Sequence, residues 1–163
     1  MLNLNRDQLF EIAQTALVRM DGAWFIAVAS EFGIDAAWKA DVAAWSQLSY
    51  VMGKNMRRTI SAEPRWPEDF INVLEALFTI MKMNGRSITV NGENITVSVT
   101  DCEAQKAIAK AGIADCGIVT MVTYRCLARG LFGKDFEINT SHTKNLNHGD
   151  GCCEVVLCRR SGE

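Results

Sequence analysis

Residues 88–99, ITVNGENITVSV, decide the fold, because the spacing of apolar side chains changes there from helical to alternating. Ile88 and Val90, then Ile95, Val97 and Val99, alternate with polar residues on either side of Asn91-Gly92. In a strand successive side chains point to opposite faces, and Asn-Gly readily adopts the positive φ angles of a tight turn. The stretch therefore predicts an antiparallel hairpin with one apolar face.

Everything before it reads as helix. Leu9, Ile12, Ala13, Ala16, Leu17 and Met20 recur at three- and four-residue spacing, with Asn5 as N-cap and Leu4 as its staple. Asp21 caps a second predicted helix through Trp24, Phe25 and Val28 that stops at Gly33. Asp35 or Asp41 opens a longer one carrying Trp38, Val42, Trp45, Leu48, Met52 and Met56. After the loop AEPRWP, Pro67 suits a first helical position, and Phe70, Leu74, Leu77, Phe78 and Met81 form the next stripe before Gly85.

Beyond the hairpin, Asp101 can cap a helix from Cys102 to Ala111 that ends at Gly112. Asp115 can cap another toward Gly130, although the β-branched run Ile118, Val119, Thr120, Val122, Thr123 leaves a strand open as an alternative. Two final strands, about 135 to 142 and 152 to 158, complete the order. Helices, a hairpin, two helices and a second hairpin predict an α+β fold with a four-stranded antiparallel sheet covered by helices on one face.

The 163 residues suit a single domain, with a helical half over 1–84 and a sheet-containing half over 85–163. The 17 basic and 19 acidic side chains nearly cancel, leaving a formal net charge of −2 and no electrostatic footprint for nucleic acid or an anionic membrane. Neither a signal peptide nor a long uninterrupted apolar stretch occurs, so the chain reads as cytoplasmic. In that reducing compartment its six cysteines are expected as thiols or metal ligands rather than disulfides.

Candidate chemistry gathers in residues 136–158, FEINTSHTKNLNHGDGCCEVVLC. Phe136, Ile138, Thr140 and His142 share one strand face, and Cys153, Val155 and Leu157 share one face of the next. Both sets should face the helices, and pairing around the loop brings His142 near Cys153, as a nucleophile-base pair or two metal ligands. Cys102 opens a helix, whose first-turn N–H groups lower a thiol's pKa, and so is the likeliest reactive thiol by position. Asp150, beside Gly149 in the turn, is a candidate orienting group, and Trp24, Cys126 and Thr140 are candidate ligand-binding residues.

Each feature also has a plain structural explanation. Cys116, Cys126 and Cys158 fit as small buried hydrophobes. Cys152 and Cys158 point to the opposite face of the last strand. His148 is expected in solvent, Lys54, Arg57 and Arg58 on a solvated helix face, and the tryptophans and methionines at helical spacing in the core. With no CxxC or HxxxH spacing, zinc or another transition metal is less expected than none. Cys102, Cys126, His142 and Cys153 are the residues that would hold it. No Walker-type loop or GxGxxG supports a nucleotide site.

Three segments carry a family resemblance. MDGAWFIAVASEFGID at 20–35, CEAQKAIAKAG at 102–112 and GDGCCE at 149–154 resemble the L-2-amino-thiazoline-4-carboxylic acid hydrolase-like family. That family is similar in its C-terminal half to the vinyl-reductase-type small-molecule-binding domain. The pattern matches Gly149, Asp150, Cys153 and Glu154 and favours Cys153 over Cys152. The resemblance implies an α+β domain that packs as a homodimer around a pocket for a small organic ligand, sometimes with metal-binding cysteines.

The leading expectation is a small-molecule ligand enclosed between helices and sheet, with Cys102, His142 and Cys153 near the pocket floor. A hydrolase of a cyclic amidine or other C–N bond is the alternative, with Cys102 or Cys153 as thiolate and His142 as general base. A metal-binding protein, or a structural dimer joined through Trp38 and Trp45, completes the set.

Overall fold

The structure, a computed structural model, describes residues 3–113 and 115–160. Helix α1 (Arg6–Phe32) opens with a reciprocal cap: the Asn5 side chain accepts from the Gln8 N–H at 2.9 Å, and the Gln8 side chain accepts from the Asn5 N–H at 3.0 Å. The predicted boundary at Asp21 does not exist, and α1 runs through it. The Asp21 carboxylate takes the indole N–H of Trp45 at 3.0 Å and caps nothing. Gly33, at φ 87°, ends the helix instead, its N–H bonding Ala29 O at 3.0 Å.

Helix α2 (Ile34–Ile60) folds back antiparallel to α1, with Trp38 edge-on to Phe25 at 4.6 Å between ring centroids. Its buried residues Ala37, Asp41, Trp45, Ser49 and Gly53 recur every four positions, one row down the helix. At Gly53 and Gly130 the backbones of α2 and α5 (Gly117–Phe132) pass so closely that a Cβ on either glycine would strike a carbonyl of the other helix.

Helix α3 (Glu68–Ile80) begins one residue after the position predicted, with Pro67 at its N-cap. It buries Phe70, Val73, Leu74, Leu77 and Phe78, the spacing of a single helical face. Each such burial contributes about 1.5–3 kcal/mol. The hairpin follows as β1 (Met83–Asn91) and β2 (Asn94–Cys102), turning at Gly92 with φ 60°. It is longer than the alternating pattern alone delimits, with pairing reaching from Asn91–Asn94 out to Met83–Cys102.

Helix α4 (Glu103–Lys110) uses Cys102, not Asp101, as its N-cap residue. For residues 117–132 helix prevails over strand, and Thr123, Tyr124, Leu127, Ala128 and Leu131 are buried at helical spacing. β-Branching costs only tenths of a kcal/mol per residue in a helix, which one buried leucine outweighs.

Strands β3 (Ile138–Lys144) and β4 (Cys153–Arg159) form the second hairpin, around a short 3-10 turn at Leu146–His148. The sheet is antiparallel throughout in the order β1-β2-β4-β3, which puts β4 in the interior and β3 at an edge. Ile95, Val97, Val99, Ile138, Val155 and Leu157 join the apolar faces of α3 and α5 in one hydrophobic cluster. The architecture is the expected α+β arrangement with helices on one sheet face. The other face carries Thr96, Ser98, Val156 and Cys158, all half-buried.

Candidate functional site

Chemistry-bearing side chains occupy two neighbouring regions. The first is the corner where the β3–β4 loop meets the start of α5. Asn145, buried at 4% exposure, is its hub. Its Nδ2 donates to Asp115 Oδ1 at 2.7 Å, its Oδ1 accepts from the Asn147 N–H at 2.9 Å, and its own N–H donates to Asp150 Oδ2 at 2.7 Å. Asp115 Oδ1 also accepts from the Gly117 N–H at 2.7 Å, so one oxygen fastens both the loop and the helix start. Gln105 Nε2 donates to Asn147 Oδ1 at 2.7 Å and ties in α4.

His142 and Cys153 both lie on the helix-covered face, but not opposite each other. A bulge between His142 and Lys144 sets His142 against Val155 and Lys144 against Glu154, while Cys153 pairs with Val99 of β2. His142 instead lies against Gly117, where a Cβ would strike its ring, and its buried Nε2 has no hydrogen-bond partner. Burial lowers its pKa, more than Asp115 raises it. Thr140, His142 and Asp150 line one open cleft of about 370 Å³, together with Asp115 and Lys144.

The thiols differ from what sequence position suggests. Burial raises Cys102, and the amides of Gln105 and Ala104 at the start of α4 only partly offset it. Burial pushes Cys116 up to about 12, with the neighbouring Cys153 and Cys102 adding to it. Burial also raises Cys153, whose Sγ accepts from the Leu146 N–H at 3.4 Å. Desolvation here disfavours the Cys102 thiolate more than the helix start favours it, opposite to the direction expected from position. All six cysteines are free, and no hydrogen bond joins a described imidazole to a sulfur. Among the described residues no three His, Cys, Asp or Glu side chains are grouped to hold a metal ion, so Cys102, Cys126, His142 and Cys153 do not converge as a ligand set.

The second region is a cavity of about 90 Å³ between α1, α2, α4, α5 and the sheet. Trp38, Trp45, Met81, Cys102, Cys116 and Tyr124 are among its walls, and Asp21 and Asp41 are its two carboxylates. Burial raises the pKa of Asp21, and its bond from Trp45 lowers it by less. Burial, then the nearby Asp21, push Asp41 up to about 7. Asp41 is only 7% exposed. By sequence alone both suit helix caps. The available signal was the four-residue row Ala37, Asp41, Trp45, which aims a carboxylate along an inward stripe.

Of the remaining candidates, Trp24 is 40% exposed and lines an outer groove between α1 and α2 rather than this cavity. Cys126 is half-buried on α5 and does not line it either. Trp45, at 7% exposure, is core and cavity wall, so it cannot serve as a surface for a second copy.

A family model described as "Family of unknown function (DUF6125)" matches residues 2–149. The chain belongs to this family. No curated protein matches it. Among solved structures, it is similar to the phenol-responsive sensory domain of the transcription activator PoxR, crystallised with phenol, at a TM-score of 0.59 and 11% identity. The likeness covers 98% of this chain and 76% of that one, and at such identity it speaks for a shared fold alone. The thiazoline-carboxylate hydrolase-like family is not what these comparisons return. No helix is long and apolar enough to cross a membrane, among the described residues.

Proposed function

We propose that this chain is a small-molecule-binding domain whose ligand is enclosed between the helices and the sheet, in the cavity walled by Trp38, Trp45, Cys102, Cys116 and Tyr124. The cavity itself carries the reading. It is an apolar and aromatic enclosure interrupted by a few polar groups, the usual composition of a ligand site. The fold shared with a phenol-responsive domain supports it. A dry cavity of about 150 Å³ admits benzene. The cavity here, at about 90 Å³, is smaller, so a single ring enters only as the walls move.

The hydrolase alternative has less behind it. Burial raises the pKa of Cys102, Cys116 and Cys153, and no described imidazole is hydrogen-bonded to a sulfur. A substrate carboxylate would also meet Asp21 and Asp41 in the inner cavity, with no Lys, Arg or His among its described lining residues. The GDGCCE motif holds the neighbouring β3–β4 corner, where Asp150 accepts from the Asn145 N–H, and does not line the cavity.

The protein is further read as one cytoplasmic domain acting as a homodimer. One hydrophobic cluster unites residues of both halves, and six free thiols suit a reducing compartment. Leu9, Phe10, Ile12, Met20 and Phe32 leave an apolar surface on α1, the kind a second copy covers. Sedimentation should give a dimer that Ile12→Glu with Met20→Glu converts to monomer. A monomeric parent protein would count against the dimer.

Mass spectrometry of natively purified protein, and titration of its tryptophan fluorescence with phenol, test the binding function. A retained small molecule or a saturable change is expected. A protein that retains nothing and ignores phenol, amines and alcohols alike in fluorescence and melting temperature would overturn it.

A further inference from the structure

Three cavities meet at the same two side chains. Asp21 and Asp41 line the inner cavity of about 90 Å³, a smaller one of about 40 Å³ between α1 and α4, and the groove of about 240 Å³ between α1 and α2. Asp21 has a partner in Trp45 Nε1. Asp41 accepts no side-chain hydrogen bond from any described residue, although it is 7% exposed. None of the described residues lining the three cavities is Lys, Arg or His.

Buried carboxylates are ordinarily hydrogen-bonded or paired with a cation, because an unpaired charge in an apolar site is costly. Here neither remedy reaches Asp41 from within the chain. The titratable groups facing it across the inner cavity are Asp21 from α1, Cys102 from the end of β2, and Cys116 and Tyr124 from α5 and its cap. All of these are neutral or negative. The indoles of Trp38 and Trp45 add aromatic rings of the kind that attract an organic cation.

From this arrangement we infer that the ligand is a small organic cation, a protonated primary amine on a short aliphatic or single-ring body, with its ammonium group on Asp41 and its apolar part among Trp38, Trp45 and Tyr124. The inference rests on the binding function proposed above and names its ligand class. The ammonium supplies the donors and the charge that Asp41 lacks, and Asp21 adds to the field that attracts it. A neutral isostere of the same shape would fill the cavity without satisfying the carboxylate.

The test compares n-butylamine with n-butanol, and benzylamine with benzyl alcohol, by calorimetric titration of the full chain at about pH 8, where Asp41 and the amines are both charged. Each amine should bind at least about tenfold more tightly than its alcohol, as a charge-assisted hydrogen bond is worth. Asp41→Asn should erase that preference, so that each amine binds no more tightly than its alcohol. Alcohols binding as well as amines, or an amine preference that survives in Asp41→Asn, would overturn the cation inference and leave the binding function standing. If no amine binds, the inference falls, and the retained-ligand and phenol measurements separately decide the binding function. The comparison on the unmodified protein is decisive even if the variant fails to fold.

Discussion

Two aspartates of this chain meet opposite fates. Asp115, at the corner of α5, takes hydrogen bonds from the Gly117 amide and the Asn145 side chain through a single oxygen. Asp41, buried beside the inner cavity, takes none from a side chain and has another carboxylate for a neighbour. The difference is one of purpose in the fold. A polar cluster bonded within the chain stiffens the loop that closes the sheet, whereas an unbonded carboxylate facing a cavity leaves its hydrogen-bonding capacity for something that arrives.

The sharpest way to break this comparison is to neutralise Asp41. Its native pKa, about 7, lies above the ordinary value of 3.8, so the folded chain holds a proton that the unfolded chain releases. The contribution of Asp41 to stability is then fully present below about pH 4 and is lost as pH rises through about 7. Asp41→Asn removes that loss. In ligand-free protein it should stabilise the fold at about pH 8 by up to about 4 kcal/mol, with little gain near pH 4. Urea melts at the two pH values check this, and a variant less stable than the parent at both would mean that Asp41 has a partner after all.

Asn145→Ala should act in the opposite direction. It removes one of the two donors to Asp115 and leaves the Asn147 amide without its side-chain acceptor, and lost bonds of this kind cost about 1–3 kcal/mol each. A loss of about 2–3 kcal/mol is expected in the same melts, independent of pH between about 6 and 8. Amine binding in the inner cavity should change less than stability does. If Asn145→Ala were neutral, the corner would not be the rigid element described.

Much of the architecture was legible before any coordinates. The alternation around Asn91-Gly92 and the row from Phe70 to Phe78 identify strand and helix because their periods differ by nearly two residues. The helix-covered face of His142, Cys153, Val155 and Leu157 follows from the same rule. Some boundaries were not legible. Asp21 has the chemistry of a cap, and only the distant indole of Trp45 decides that it is not one. The β-branched run of α5 leaves strand open as an alternative to helix, and burial of Leu127 and Leu131 at helical spacing decides for helix.

The site was less legible than the fold. Position at a helix start marked Cys102 as activated, but burial, which depends on what packs around it, reverses the sign. The register at His142 turns on a bulge that no residue pattern announces. Asn145 carries no signal of its own, and Asp21 and Asp41 read as helix caps, because an isolated polar residue looks alike whether it faces water, a backbone amide or a cavity.

The order of elements, the apolar faces and the turn glycines belong to the sequence itself, because backbone geometry and side-chain periodicity are local. Tertiary structure alone decided which carboxylates lost their water, which thiols stayed protonated and where empty space remained. Desolvation and pairing depend on neighbours brought from far along the chain, as Trp45 reaches Asp21 and Asp115 reaches Asn145.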